Sequence, residues 1–194
     1  RHAVGDKFTA EHLSVITNAN IRQDGMFTGL LGHPEYHYDG GNLSYGENYL
    51  ISQKKLVFDY LSDLSDATKA LRAMGRYFHC LQDFYAHSNY VELWINSFGS
   101  SPIEPKNPAI MKNGDLFVCR TYYPLEAITY FRTFRPFASK RLPDDSHVNM
   151  NLDDPSRGEL FPIAMDAAIK RTKSEFLNIK EQLTQAQIKL FTGK

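Results

Sequence analysis

The sequence predicts a mainly α-helical protein of one domain, with long loops and little strand. Its 194 residues suit a single domain with a real core. Hydrophobic residues make up 42% and aromatic residues 13%, which is typical of a globular chain and not of a disordered one. Stretches of helical pattern alternate with stretches rich in Gly, Pro and Asn. No repeat or linker divides the chain, so residues 1–194 are expected to form one domain.

Charge and composition narrow the classes of partner. Lys+Arg and Asp+Glu number 22 each, and no basic run is visible, so a nucleic-acid partner is not favoured. No apolar run approaches the length of a membrane span. The chain starts at Arg1 without an initiator Met, as a processed form or an excised domain would, and we expect a secreted, periplasmic or extracellular protein. Cys80 and Cys119 would form either one disulfide or two buried thiols.

Helical patterns are separated by loops along the chain. Thr9 is a plausible cap for the first helix. Pro162 suits the first turn of the last helix, in which Ala164, Ala167, Ala168 and Thr172 form a face of small residues. The predicted helices cover residues 8–23, 48–61, 65–94, 126–137 and 159–191. The loops cover 26–46, 99–113 and 139–158, and a short strand or extended segment covers 114–123.

The stretch 71–94 carries the most specific signal. It places His79, Asp83 and His87 four residues apart, which stacks them on one face of a helix. A structural histidine beside a solvated carboxylate would explain one such pair, but three donors in register favour a divalent metal, and zinc accepts both donor types. The loop before it carries His37 and Asp39, which either contribute to a site or form a turn stabilised by the Asp side chain.

Motifs in this stretch and elsewhere resemble a known family. The run from His79 to Glu92, HCLQDFYAHSNYVE, resembles the signature of Het-C-like and bacterial zinc-dependent phospholipase C-like proteins. More distantly it resembles the trinuclear-zinc phospholipases C and the zinc nucleases. Flanking pieces in matching order are Thr9-x-x-His12-x-x-x-Ile16, Asn20-x-x-x-Asp24, His37-Tyr38-Asp39 and the segment 149–172. The resemblance therefore runs over most of the chain and implies a helical bundle with a zinc cluster at one end.

The resemblance also implies a set of ligands. Asp24, His37, His79 and Asp83 would hold one zinc ion. Asp83 would bridge to a second ion bound by His12 and, if Arg1 is the mature start, by its amine. A third site departs from the family pattern, because His87 follows Asp83 by four residues where the family has six, and the HxxxE pair is missing. Its candidate ligands are His87, His147, Glu92, Asp153 and Asp154. We expect two zinc ions, and a third, if bound, would use these residues.

The function implied is a zinc-dependent phosphodiesterase, above all a phospholipase C that acts on phospholipid or another phosphodiester at a membrane surface. Zinc-bound water would be the nucleophile, with Asp24 as ligand or general base and Asp83 as the bridging catalytic carboxylate. Two alternatives stay open: a Het-C-like recognition domain with a structural metal, favoured by the missing HxxxE pair, and a nuclease for single strands.

Other residues are expected to support the site. Residues beside the ligands would orient them. Four aromatic residues would either wall a pocket for a cationic head group or pack in the core, and core packing is the favoured interpretation. The orienting residues are Gln82, Tyr85, Asn89 and Asp39, and the aromatic residues are Tyr36, Tyr38, Phe84 and Tyr85.

Overall fold

A computed structural model of the chain describes residues 2–25, 32–62, 64, 66–102, 106–122, 125–129 and 135–194. The described part is mainly helical, as predicted, and its only β pairing consists of two isolated bridges, Ser88 with Val118 and Arg120 with Ser146. The helices are α1 (Ala10–Ile21), α2 (Leu43–Ser62), α3 (Ala67–Ala86), α4 (Tyr90–Phe98), α5 (Pro108–Met111), α6 (Leu125–Thr129), α7 (Arg135–Ser139), α8 (His147–Met150), α9 (Leu160–Glu181) and α10 (Gln185–Thr192).

Helix α3 lies at the centre of the bundle. Fourteen of its 20 residues are buried, which is the pattern of a helix covered on most of its faces. It packs against α1, α2 and α9. At Gly75 a Cβ atom would lie 2.4 Å from the carbonyl oxygen of Ile16, so only glycine permits this approach of α1. Gln82 links three helices, because it accepts from Asn20 of α1 and donates to Thr172 of α9.

The long helix predicted over 65–94 is wrong in one respect, because it breaks between α3 and α4. The chain leaves the helix at residues 87–89 to pair with residues 117–119. The Cys119 amide donates to the His87 carbonyl at 2.8 Å, and the Asn89 amide donates to the Phe117 carbonyl at 3.2 Å. These long-range hydrogen bonds replace those that a continuous helix would have made. Over residues 114–122, the described part of the predicted strand or extended segment, β pairing is limited to the bridges at Val118 and Arg120.

The helix predicted over 159–191 is likewise interrupted and forms α9 and α10. Thr184 accepts from the Gln187 amide while the Gln187 side chain accepts from the Thr184 amide, and this capping box starts α10. Helix α2 begins earlier than predicted, at Leu43, after the Asn42 side chain accepts from the Ser44 amide at 3.0 Å. The predicted loops contain the short helices α5 and α8 and 3-10 turns at Pro34–Tyr36 and Pro155–Arg157.

Aromatic and small residues fill the core. Tyr38, Phe84 and Tyr85 are each at most 2% exposed and belong to the core cluster, which confirms the favoured interpretation of these aromatics. The small face of α9 is buried at Ala164, Ala167 and Thr172. Cys80 and Cys119 are both buried free thiols, the second of the two alternatives for this pair. Within the described part, no helix combines the length and apolarity that spanning a membrane requires.

Candidate metal centre

The C-terminal end of α3 carries buried donors on the face that the spacing predicts. His79 is 4% exposed, Asp83 is 9% exposed and His87 is 2% exposed. His79 and Asp83 lie within the helix, whereas His87 is its C-terminal cap. Two other segments approach this face: the 3-10 turn that ends α1 and carries Asp24, and the loop that carries His37.

Four side chains approach one another there and define the first donor group, in which Asp83, His37 and His79 are in direct contact and Asp24 adjoins His79. Asp83 Oδ2 lies 2.9 Å from His37 Nδ1 and 3.0 Å from His79 Nε2. The two ring nitrogens are 3.0 Å apart. Asp24 Oδ1 lies 3.5 Å from His79 Nε2. The structure thus brings together the four residues that the resemblance assigned to one zinc ion.

The His37 ring makes its polar contacts through one nitrogen. Its Nε2 is buried without a hydrogen-bond partner in the described part of the chain. Its Nδ1 faces both Asp83 and His79. The position of this ring is therefore set by the first donor group and not by an outer hydrogen bond.

Charges within the first donor group perturb one another. Burial alone would raise the pKa of the Asp83 carboxyl, but His79 and His87 outweigh it and hold that pKa far below its usual range. Burial alone would lower the pKa of His79, and the carboxylates of Asp83 and Asp24 raise it instead. His79 and Asp83 therefore each favour the charged form of the other.

His87 lies between this group and a second one. Its Nδ1 donates to the carbonyl oxygen of His37 at 2.7 Å, and its Nε2 lies 3.1 Å from Asp153 Oδ2. Burial alone would lower the pKa of His87, but Asp153 and Asp83 raise it well above its usual range. His87 thus fixes the backbone of the loop that carries His37.

The second donor group consists of Asp39, Cys119 and His147. Cys119 Sγ lies 2.5 Å from Asp39 Oδ1, and His147 Nδ1 lies 2.9 Å from Asp39 Oδ2. Burial and then the Asp39 carboxylate raise the pKa of the Cys119 thiol well above its usual value. Burial would raise the pKa of Asp39, but His147 and then His87 lower it.

A cavity of about 490 Å³ opens beside the first donor group. Asp24, His79 and Asp83 line its polar side together with Asp153. Helix α9 lines the other side with apolar residues that include Phe161, Met165 and Ile169. An ion in the first donor group would therefore face a space that is partly apolar and large enough for a small ligand.

The remaining predicted site residues lie outside both donor groups or outside the part of the chain that the structure describes. His12 Nδ1 lies 3.1 Å from the Phe191 carbonyl oxygen. Glu92 is exposed on α4. Among the described residues, neither belongs to a group of donor atoms within 4.8 Å of one another. Arg1 lies outside the described residues.

The orienting residues have mixed roles. Gln82 bridges α1 and α9 and so holds two helices together. Asn89 donates to the Asp115 carbonyl oxygen at 2.8 Å and so fixes a backbone segment. Tyr85 packs in the core. Asp39 is a donor in its own right, within the second donor group. The sequence offered Cys119 only as a disulfide partner or a buried thiol, and the sole local hint of its role was its place in a predicted strand or extended segment.

Comparison with known proteins places the chain in a different family from the expected one. The model of the VWA7 N-terminal domain matches residues 2–111, which is more than half of the chain. The chain belongs to the VWA7 N-terminal domain family. Human von Willebrand factor A domain-containing protein 7 is 27% identical over 158 residues, which cover 75% of this chain and 18% of that protein. The mouse protein of that name is 33% identical over 81 residues, or 42% of this chain and 9% of that protein.

These matches correct the functional interpretation. The chain spans less than a fifth of the curated relatives that it matches, and those relatives carry the name of a von Willebrand factor A domain-containing protein. The assignment to a zinc phospholipase C or Het-C-like family was wrong, and so were the phosphodiesterase, the enzyme class, the recognition domain and the nuclease inferred from it. No solved structure matches the chain. The ligand spacing on α3 was real, but spacing specifies a geometry and not a reaction.

Proposed function

We propose that this VWA7 N-terminal domain is a zinc-binding module whose principal site is the first donor group. The observation that carries the proposal is the approach of two imidazoles and two carboxylates from three separate segments: Asp83 Oδ2 and the two ring nitrogens lie 2.9–3.0 Å apart, and Asp24 Oδ1 lies 3.5 Å from His79 Nε2. A tetrahedral zinc ion with nitrogen and oxygen ligands at 2.0–2.2 Å requires ligand atoms about 3.3–3.5 Å apart. Asp83, His37 and His79 would need to separate only slightly to admit the ion, and Asp24 would approach as the fourth ligand.

The donor types favour zinc over the hard cations. Calcium and magnesium prefer sites built from oxygen atoms. Half of the first donor group is imidazole, which suits zinc and its first-row neighbours. Three of the four residues are buried, so the ion would also replace protons as the charge that balances Asp83.

The role of the ion would be to join parts of the fold. Asp24 belongs to the end of α1, His37 to the loop before α2, and His79 and Asp83 to α3. Zinc bound to all four ties this loop and both helices together. Because the unfolded chain lacks the preformed site, the free energy of zinc binding adds to the free energy of unfolding.

Thermal unfolding with and without zinc tests the proposal. After chelation and removal of the chelator, zinc at about 100 times its Kd should stabilise the protein by about 2.7 kcal/mol. Asp24→Asn should remove most of this stabilisation, and the side chain is 62% exposed, so the variant should fold. Asp83→Asn should remove it as well.

Asp59→Asn is the matched control. Asp59 is a carboxylate of α2 that pairs with Lys55 on the surface, away from the donor groups. This variant should keep the full response to zinc. A wild-type protein that gains nothing from zinc, or a response that survives in both site variants, would overturn the proposal.

A further inference from the structure

We propose that the second donor group is a separate metal site, in which Asp39, Cys119 and His147 bind a thiophilic divalent cation such as zinc through a thiolate, an imidazole and a carboxylate. A donor set of sulfur, nitrogen and oxygen is a typical zinc combination. The proposal does not depend on the first donor group, with which this site shares no ligand.

Burial separates this cluster from a chance grouping of surface residues. Cys119 is 0% exposed and Asp39 is 7% exposed. The His147 side chain is 15% exposed. Their atoms contact one another directly, with Cys119 Sγ 2.5 Å from Asp39 Oδ1 and 4.0 Å from His147 Nδ1. The three side chains thus face one point from three distant parts of the sequence.

The backbone holds these three segments to one another. The Gly41 amide donates to the Cys119 carbonyl at 2.9 Å, which fixes the Asp39 loop to the Cys119 segment. The His147 amide donates to the Arg120 carbonyl at 3.1 Å, which fixes the start of α8 to the same segment. The Cys119 segment therefore lies between the other two, which supply Asp39 and His147.

The residue between His37 and Asp39 has an unusual conformation. Tyr38 has φ of 54°, a left-handed conformation that strains a residue with a side chain. Its ring is fully buried and contacts Phe84. The adjacent residues His37 and Asp39 each enter a donor group, His37 the first and Asp39 the second. Backbone strain is thus located where one loop serves both groups.

His87 is not counted as a ligand of this site. Its Nδ1 lies 3.6 Å from Asp39 Oδ1 but donates to the His37 carbonyl oxygen at 2.7 Å. Three protein ligands therefore leave one coordination position for a solvent oxygen. On binding, the Cys119 S–H bond breaks, sulfur keeps the electron pair to form the metal–sulfur bond, and the proton leaves to solvent. The Sγ–Oδ1 pair must open to about 3.5 Å to fit zinc distances.

Cobalt binding tests for the thiolate ligand, because a cobalt–thiolate bond has its own absorption band. The metal-free 194-residue chain is titrated with Co²⁺, and an intense near-ultraviolet thiolate-to-cobalt absorption band is expected. Cys119→Ser should lose this band and the bound equivalent that produces it. Asp83→Asn should keep the band, which separates this site from the first donor group.

Cys80→Ser is the matched control, because the chain has only two cysteines and both are buried free thiols. Retention of the band in this variant assigns it to Cys119 even if Cys119→Ser does not fold. His147→Gln should weaken cobalt binding at this site at least about tenfold. A folded wild-type chain without the band, or a band that disappears in Cys80→Ser and persists in Cys119→Ser, would overturn the proposal.

Discussion

Along its middle, α3 packs against α9 through aromatic and small side chains, whereas at its C-terminal end it packs against loops through imidazoles and carboxylates. In the middle region Glu175 has partners that need no ion, because it accepts from Tyr77 at 2.7 Å and from Lys54 at 3.2 Å. At the C-terminal end, the side chains of the donor groups are paired mainly with one another. The two regions should therefore differ in how their stability depends on metal and on pH.

Core deletion in the middle region should give the largest effect, and one that does not depend on metal. Phe176 of α9 is 1% exposed and contacts the Phe8 ring with centroids 5.3 Å apart. Phe176→Ala should lower the free energy of unfolding by about 3–5 kcal/mol, since it removes buried apolar area and leaves a cavity. Chemical denaturation in zinc and in chelator should give the same loss.

The neighbouring Leu177 supplies the control, because it is 42% exposed on the same helix. Leu177→Ala should change the free energy of unfolding by no more than about 0.5 kcal/mol. If Phe176→Ala were costly only after chelation, the core of the bundle would itself depend on the metal, and the contrast between the two regions would fail.

The pH dependence should give a smaller effect, of opposite sign with and without zinc. In the metal-free protein His79 has a raised pKa, so its contribution is present below about 6.5 and is lost as pH rises through the raised value. Asp83 has a lowered pKa, so its contribution is present above about 3.9 and is lost as pH falls. Zinc requires neutral imidazole, so the stabilisation that it provides should instead grow as pH rises.

Urea denaturation between pH 5 and pH 8 measures these slopes, which reach at most about 1.4 kcal/mol per pH unit for each net proton. Asp83→Asn should flatten both curves. Equal slopes with and without zinc would show that the first donor group does not exchange protons for metal.

The helices of the bundle can be predicted from the sequence because each helix is determined mainly by residues close to one another in the chain. Helical spacing of apolar residues and the cap at Thr9 depend on neighbours within a few residues, and the Thr9 side chain does accept from the His12 amide. The break after α3 was missed because it depends on hydrogen bonds to residues about 30 positions away. Periodicity carries no information about such partners.

The donor groups show the same limit. The spacing of His79 and Asp83 placed them on one helix face. The loop pattern left His37 open between a site and a turn, and Asp24 came only from a family resemblance that proved wrong. Asp39 and Cys119 are 80 residues apart and meet through loop pairing, which no local pattern specifies. The resemblance therefore pointed to residues that do meet in space and to a chemistry that the family match does not support.

Anomalous diffraction from crystals grown with zinc, recorded on both sides of the zinc absorption edge, shows whether the first donor group binds zinc. If the first donor group binds zinc, a peak should lie within about 2.2 Å of donor atoms from Asp24, His37, His79 and Asp83. A well-ordered structure with these four side chains hydrogen-bonded to one another and no anomalous peak between them would contradict it.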